Sequence, residues 1–412
     1  MTNKSVRLAV VGASRGAYLT GTMKYLEEQA ELAAICDRNE GALGRWKEKF
    51  PDVKRFDSFE RMLEDPDIDA VLLATPMMMH AQQSVQALKA GKHVISEVTA
   101  ATTLEQCWEL VETVEQTGLV YMMSENYCYT RPNMMLKHMI RGGLFGELTY
   151  MEGGYIHDCR HLMHDANGNL TWRGEKGRQY DGNSYPTHSL GPVAQWLAAG
   201  DPTDELDMAT TFTTRSASTN AYFKEVFGPD HPGASDVFWK HGDSASTLIR
   251  TKKGTVIMLR FDARSARPHN MTHYEIQGTK GAYLSPRYGG DDHLIWLDGH
   301  SKGSAPVGTD GCDPEWESLW HYTDQWEHPL WKSNLADAEK AGHGGGDFFV
   351  LREFANAILE NRRPAIDVYD AVTWSSVFPI SVKSVEAGGI PVKFPDFKRG
   401  RTSAPGSNGY RA

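Results

Sequence analysis

Hydrophobic residues come first in short continuous runs. Arg7–Val11 is such a run, as in a strand buried on both faces. Gly12-Ala13-Ser14-Arg15-Gly16-Ala17 follows it, then a helical pattern through Tyr25 or beyond. Glu31–Cys36 reads as a second strand and ends at Asp37. Ala70–Ala74 is another strand, closed by Thr75-Pro76, and His80 opens a helix that runs through Ala90. Gly91 stops that helix, His93–Ile95 is the next strand, and Glu97 stands at its C-terminal end. Glu105–Thr117 has helical spacing and Val120–Met123 is strand-like. Strand alternating with helix predicts an α/β domain over residues 1–123 built on a doubly wound parallel sheet.

The pattern then changes. Leu148–Ile156 alternates apolar and polar, as in a strand with one exposed face. In Asp181–Trp196 (DGNSYPTHSLGPVAQW) a helix is predicted, with Pro192 in its first turn and Thr187 or Ser189 as its cap. Glu205–Arg215, Ala245–Thr251, Thr255–Ala263, Tyr274–Gln277 and Gly281–Ser285 read as strands. Thr251-Lys252-Lys253-Gly254 and Gly278-Thr279-Lys280-Gly281 are hairpin turns between them. This predicts an α+β domain over residues 124–395 with a large, mostly antiparallel open sheet. One face would cover helices and the other would meet a second copy, giving a homo-oligomer, dimer or tetramer. Arg264–His269 is a polar loop, and residues 286–345 are loop-rich. Phe348–Glu360 and Asp367–Ala387 are further helices, the last ones packing back on the first domain. Residues 396–412 read as an arm or tail.

With 412 residues and 40% hydrophobic content, the chain can bury two cores. Its net charge is −10, and no Lys/Arg run suggests a nucleic-acid groove. The cysteines are Cys36, Cys107, Cys128, Cys159 and Cys312, odd in number and without CxxC spacing. This predicts reduced thiols and a cytoplasmic protein. The N-terminus runs straight into a strand without a leader pattern, and no apolar run approaches the ~20 residues of a membrane span.

Two sets of residues carry candidate chemistry. The first is a dinucleotide site. Gly12 makes the tight turn, Ser14 takes the second glycine position, and Ala17 permits close helix packing. Asp37, past the next strand, suits the two ribose hydroxyls and favours NAD; Arg38 beside it leaves NADP as the less favoured choice. A helix-capping role is the plain alternative for Asp37. Ser14, Arg15, Thr75, Pro76, His80 and Glu97 lie at the strand ends where such ligands bind.

The second set is Tyr185 and His188, three residues apart at a helix start, where imidazole is kept neutral and able to accept a proton. A buried pair fixing a loop would look the same. Leu148–Ile156 delivers Tyr155 and leads to His157. His157, His161 and His164 fit no common zinc frame, so no metal is expected and a polar substrate loop is preferred. Trp316, Trp320, Trp326 and Trp331 suggest sugar stacking, with packing an equal explanation for each. Asp347, after His343-Gly344-Gly345-Gly346, is as well explained as a helix cap as by a functional role.

These motifs resemble the Gfo/Idh/MocA family of oxidoreductases. The resemblance rests on the Gly12 turn, Asp37, Ala74-Thr75-Pro76 with His80, Gly91-Lys92-His93-Val94 and Glu97. Dehydrogenases of that family carry Glu-Lys-Pro where this chain has Glu97-Val98-Thr99, which speaks against simple dehydrogenation. A closer resemblance is to glycoside hydrolase family 109. It is carried by Glu125-Asn126-Tyr127-Cys128-Tyr129, Gly153-Gly154-Tyr155-Ile156-His157-Asp158 and Thr171-Trp172-Arg173. Tyr185-Pro186-Thr187-His188, Gly191-Pro192, Glu327-His328-Pro329-Leu330-Trp331 and the glycine run before Asp347 complete it.

The resemblance implies a Rossmann domain with tightly bound, recycled NAD and a carbohydrate substrate, an N-acetylgalactosaminide or related hexoside. It implies oxidation at C3 of the sugar, loss of the C2 proton with expulsion of the C1 substituent, water addition and re-reduction. On that route His188 takes the C3 hydroxyl proton, Tyr155 acts at C2, and Tyr185 orients the hydroxyl or His188. Glu125, Arg173, His157 and Trp331 bind the sugar, and the tyrosine and histidine roles can be exchanged. An ordinary glycosidase would instead need two carboxylates about the bond. The rivals are a sugar or polyol dehydrogenase on the same fold and a non-catalytic sugar or nucleotide sensor.

Overall fold

The computed structural model describes residues 5–268, 270–304 and 313–401. Cys312, His269 and residues 402–412 of the expected tail therefore lie outside the described residues. The chain forms two compact units: residues 1–131, 329–376 and 395–412, and residues 132–328 with 377–394. Sequence alone draws boundaries after residues 123 and 395.

The first unit holds six strands: β1 (Val6–Val11), β2 (Ala30–Cys36), β3 (Lys54–Phe56), β4 (Ala70–Leu73), β5 (His93–Ser96) and β6 (Tyr121–Met123). They pair in parallel in the order β3-β2-β1-β4-β5-β6, so the direction of winding reverses between β1 and β4. Ligands of such sheets bind at that reversal, beyond the strand C-termini. All four residues of β4 are buried, as its unbroken apolar run requires. The first helix, Ala13–Met23, ends before Tyr25. The helix Leu104–Thr117 is capped by Thr103 and stopped by Gly118 in a left-handed conformation. Residues 396–401 are not a loose arm. Phe397 is buried against Trp108 at a ring distance of 4.8 Å, and Arg399 pairs with Glu112 and Glu115.

The second unit is a nine-stranded sheet of β7 (Leu148–Ile156), β8 (Leu206–Thr213), β9 (Ser244–Thr251), β10 (Val256–Asp262), β11 (Asn270–Gly278), β12 (Gly281–Leu284), β13 (Leu294–Leu297), β14 (Glu317–Ser318) and β15 (Val392–Lys393). Its order is β14-β13-β12-β11-β7-β10-β9-β8-β15. Every pairing is antiparallel except β7 with β10, which run parallel with Tyr155 opposite Phe261. Both predicted hairpins are present. The stretch expected to be loop-rich contains β13 and β14, and the helix Pro329–Ala338. Their apolar runs are too short to give a clear period.

The helix Thr187–Gly200 starts one residue after Pro186, and Pro192 falls in its second turn rather than its first. Neither Thr187 nor Ser189 caps it; both hydroxyls are buried without a hydrogen-bond partner. The packing explains why the helix tolerates this. A Cβ on Gly153 would stand 2.1 Å from the Ser189 carbonyl oxygen, so β7 and the first helical turn meet backbone to backbone.

Candidate active site

In the first unit, Gly12 has φ +99° and a Cβ there would stand 2.6 Å from the Ala74 carbonyl oxygen. Only glycine fits a turn that is left-handed and pressed onto the end of β4. Gly16 does the helix packing assigned to Ala17 by sequence: its Cβ would lie 2.2 Å from Cγ1 of Val10, whereas Ala17 is exposed. Ser14 is exposed at the helix N-terminus.

The Asp37 carboxylate accepts hydrogen bonds from the amides of Ala13 at 2.7 Å and Asn39 at 2.8 Å. It thus ties the turn to the end of β2. The cap of the next helix is Asn39, not Asp37. Arg38 is exposed beside it. Arg15 Nε donates to Glu97 at 2.9 Å. Pro76 leads into a short 3-10 turn, and Thr75 donates its hydroxyl proton to Gln83.

His80 is buried, with its ring nitrogens 2.9 Å from the Thr99 carbonyl and 2.8 Å from the Thr75 carbonyl. Burial lowers its affinity for a proton. The ring therefore ties two strand-end loops together, and neither nitrogen is turned out to a cofactor.

Glu125 is fully buried and accepts from the Tyr127 amide. Trp331, expected to stack on sugar, is instead a core residue. It is 2% exposed, its indole N–H donates to the Tyr129 carbonyl at 2.8 Å, and its ring meets Phe349. The glycine run serves that packing, since a Cβ on Gly345 would stand 2.4 Å from the Trp331 ring. Asp347 is more than a cap: it accepts from Asn126 Nδ2 at 2.8 Å and lies 2.9 Å from His343 Nδ1. Burial opposes ionisation of Asp347, but His343 and Asn126 outweigh it and hold the carboxyl below its usual range.

In the second unit, β7 and the helix Thr187–Gly200 bring the expected acid–base residues together. The Tyr155 ring lies 5.3 Å from Tyr185, 5.2 Å from His188 and 4.7 Å from His157. Tyr185 and His188 meet edge to face at 5.3 Å. The His188 carbonyl accepts from the Tyr274 hydroxyl at 2.6 Å, which anchors the helix start on β11. Gly154 makes room for His273, whose ring would come within 2.1 Å of a Cβ there. His157 is buried with the Cys159 Sγ 3.1 Å from its ring nitrogens. Burial pushes the Cys159 thiol up to about 12, so it stays protonated. Arg173 is exposed, with its guanidinium 4.2 Å from the Trp172 ring. Two of the other tryptophans meet neighbouring rings, Trp320 with His293 and Trp326 with His138, whereas Trp316 is exposed.

Two buried cations beside this cluster were not singled out in the sequence. Lys176 lies on the helix Trp172–Gln179, its Nζ 5.7 Å from the centre of the Tyr185 ring. Arg264 follows β10, packed so that a Cβ on Gly177 would stand 2.3 Å from its Nη2. The polar run WRGEKGRQ suggests a solvated helix. Its only clue is the pair Gly174 and Gly177, both of which are buried. Among the described residues no group of three or more His, Cys, Asp or Glu is placed to hold a metal ion. No described helix is long and apolar enough to cross a membrane.

Comparison with known proteins fits both halves. Residues 6–125 match the oxidoreductase family model with an NAD-binding Rossmann fold, and residues 129–404 match the C-terminal domain of glycosyl hydrolase 109. A glycosyl hydrolase family 109 protein of Solibacter usitatus is 37% identical, over 97% of this chain and 90% of its own. An alpha-N-acetylgalactosaminidase of Shewanella oneidensis is 34% identical, over 90% of this chain and 81% of its own. Among solved structures, levoglucosan dehydrogenase in complex with NADH superposes with a TM-score of 0.73 at 19% identity, covering 95% of this chain and 100% of that one; it shows a shared fold. The chain is therefore an enzyme of glycosyl hydrolase family 109, with an N-terminal domain of the NAD-binding Rossmann oxidoreductase type.

Proposed function

We propose that the protein hydrolyses a glycoside, an N-acetylgalactosaminide or related hexoside, with NAD as a tightly bound and recycled partner. The observation that carries this is the cluster of Tyr155, Tyr185 and His188, whose ring centres lie 5.2–5.3 Å apart. Two phenols and an imidazole suit proton shuttling rather than the paired-carboxylate route. The first unit fits a dinucleotide: the Gly12 turn frees the N-terminus of the helix Ala13–Met23 for a pyrophosphate, and Asp37 stands at the end of β2 for a ribose. Ser14, Arg15 and Glu97 border that turn in the same reading. When bound, NAD supplies a hydride acceptor for C3 of the sugar and later a donor to the same carbon.

The protein's own groups handle the protons. His188 accepts the C3 hydroxyl proton. Tyr155 removes the C2 proton made acidic by the C3 ketone, the C1 substituent leaves, and water then adds at C1. Tyr185 orients the hydroxyl or His188. Arg173 and His157 hold the sugar, and Arg173 eases developing enolate charge. A net sugar dehydrogenase is the second reading, supported by the fold shared with levoglucosan dehydrogenase.

A panel of nitrophenyl glycosides, with and without added NAD, tests the reading. Aglycone release without net NADH, with loss of deuterium from C2-labelled substrate, is expected. Retained C2 deuterium overturns the route, and steady NADH accumulation from a free sugar favours the second reading. We also place the enzyme in the cytoplasm, on the four buried cysteines without disulfides among the described residues. The open face of the sheet, where Phe212 and Leu248 are exposed, is assigned to a second copy of the chain and is testable by sedimentation.

A further inference from the structure

Lys176 is a buried cation beside the Tyr185 ring in the second unit. Its Nζ lies 5.7 Å from the Tyr185 centroid, 5.9 Å from the Trp172 centroid and 3.4 Å from the Ser184 carbonyl oxygen, to which it donates. A cation within about 6 Å of a phenol ring is attracted by its face, more strongly where water is excluded. The residue is only 7% exposed.

The surroundings raise the cost of that charge. Arg264 packs against Gly177, the next residue on the helix, with its Nη1 buried and without a hydrogen-bond partner. The carboxylates that act on Arg264, Asp181 and Asp243, are spent on other groups: Asp181 on Thr213 and Gly242, Asp243 on Ser218 and Thr219. His241 closes the same side, with its Nε2 3.1 Å from the Ser184 hydroxyl, and is kept neutral chiefly by burial. Arg173 adds a third positive charge from the same helix, and Cys159 faces the lysine as a neutral thiol. A lysine placed as a solvated cation would not be set among two arginines.

We propose that Lys176 is a positioning residue of the acid–base cluster: its ammonium holds the Tyr185 ring and supplies the positive field in which negative charge develops, and loss of its proton to solvent switches that field off. The proposal deepens the reaction reading above and rests on it. Burial, then Arg264 and Arg173, push the lysine down to about 7. The ammonium therefore gives way to the amine as pH rises through neutrality. The alkaline limb of the pH profile belongs to Lys176 on this account. An arginine at the same place keeps its charge throughout.

The test uses the full-length enzyme with 13Cε-labelled lysine, together with K176M and K176R. In the wild type, one lysine resonance, absent from K176R, should titrate near neutrality. K176M should lower kcat by about tenfold to a hundredfold with little change in KM, the signature of lost transition-state stabilisation. K176R should recover much of that loss and carry the alkaline limb to higher pH. A Lys176 resonance that titrates like a solvent-exposed lysine overturns the proposal. So does K176M with kcat within about twofold of wild type and an unmoved pH profile. If wild type makes NADH from a free sugar and hydrolyses no glycoside, the same profiles are read on that reaction and only the hydrolase reading fails. The NMR titration needs no activity, only that K176R folds so that the resonance can be assigned.

Discussion

Gly153 on β7 and Ser189 in the helix Thr187–Gly200 touch through bare backbone, with room for no Cβ between them. That contact sets His188, one residue earlier, beside Tyr155, two residues further along β7. Gly153→Ala should therefore push the helix off the strand. We expect a stability loss of about 3 kcal/mol, the upper range for overpacking, since the obstacle is a carbonyl rather than a movable side chain. Activity should fall further than stability predicts. Thermal unfolding and kcat on the same preparation separate the two effects.

Tyr155→Phe and His188→Gln each remove a proposed proton carrier while keeping most of the ring or chain volume. Each should lower kcat about a hundredfold, in the range of general acid–base contributions. Tyr155→Phe should also slow exchange of the C2 deuteron with solvent. Tyr274→Phe loses only the hydrogen bond to the His188 carbonyl. Its cost should be about 1 kcal/mol, giving a weakened enzyme with unchanged chemistry. Ordering of the three variants in C2 exchange is the measurement.

Gly12→Ala tests the dinucleotide turn. The left-handed φ alone costs about 1–3 kcal/mol, and the Ala74 carbonyl blocks the added carbon. NAD affinity, measured by calorimetry, should weaken by about tenfold or more. The Tyr155 cluster should be left intact, so NMR signals of its histidines should not move in the cofactor-free protein.

His343 and Asp347 give a pH-dependent test. The hydrogen bond and charge of Asp347 raise His343 above its ordinary 6.5, while Asp347 itself is held below its ordinary 3.8. The stability from the histidine is complete below 6.5 and fades as pH rises through its higher folded value. That from the aspartate is complete above 3.8 and fades in acid. His343→Gln should thus cost about 1–2 kcal/mol more near pH 6 than near pH 9 in denaturant titrations. An equal cost at both pH values would show that the pair is not ionic.

The fold was readable because its strands are buried runs or clean alternations. β7 matches its expected bounds, and both hairpin turns sit where glycine and lysine mark them. That Tyr155, Tyr185 and His188 come together was readable because these residues stand on an ordered strand and at a helix start. Three misreadings share a cause: spacing does not reveal what packs against a residue. Gly16, not Ala17, meets Val10; Trp331 is enclosed; His80 spends its ring on two carbonyls. Lys176 escaped notice, and Arg264 was read only as the start of a polar loop, because charged residues are usually exposed and spacing does not show enclosure.

The parallel pairing of β7 with β10 has a consequence for how the protein matures. Tyr155 and Tyr185 are both synthesised long before β10, yet the strand that bears Tyr155 gains that flank only after residue 256 has emerged. Such distant pairings form slowly, because the intervening loop must close before any contact rewards it. Completion of this flank is thus a late event in biogenesis, and a nascent chain halted before β10 would carry Tyr155, Tyr185 and His188 without the strand that supports Tyr155.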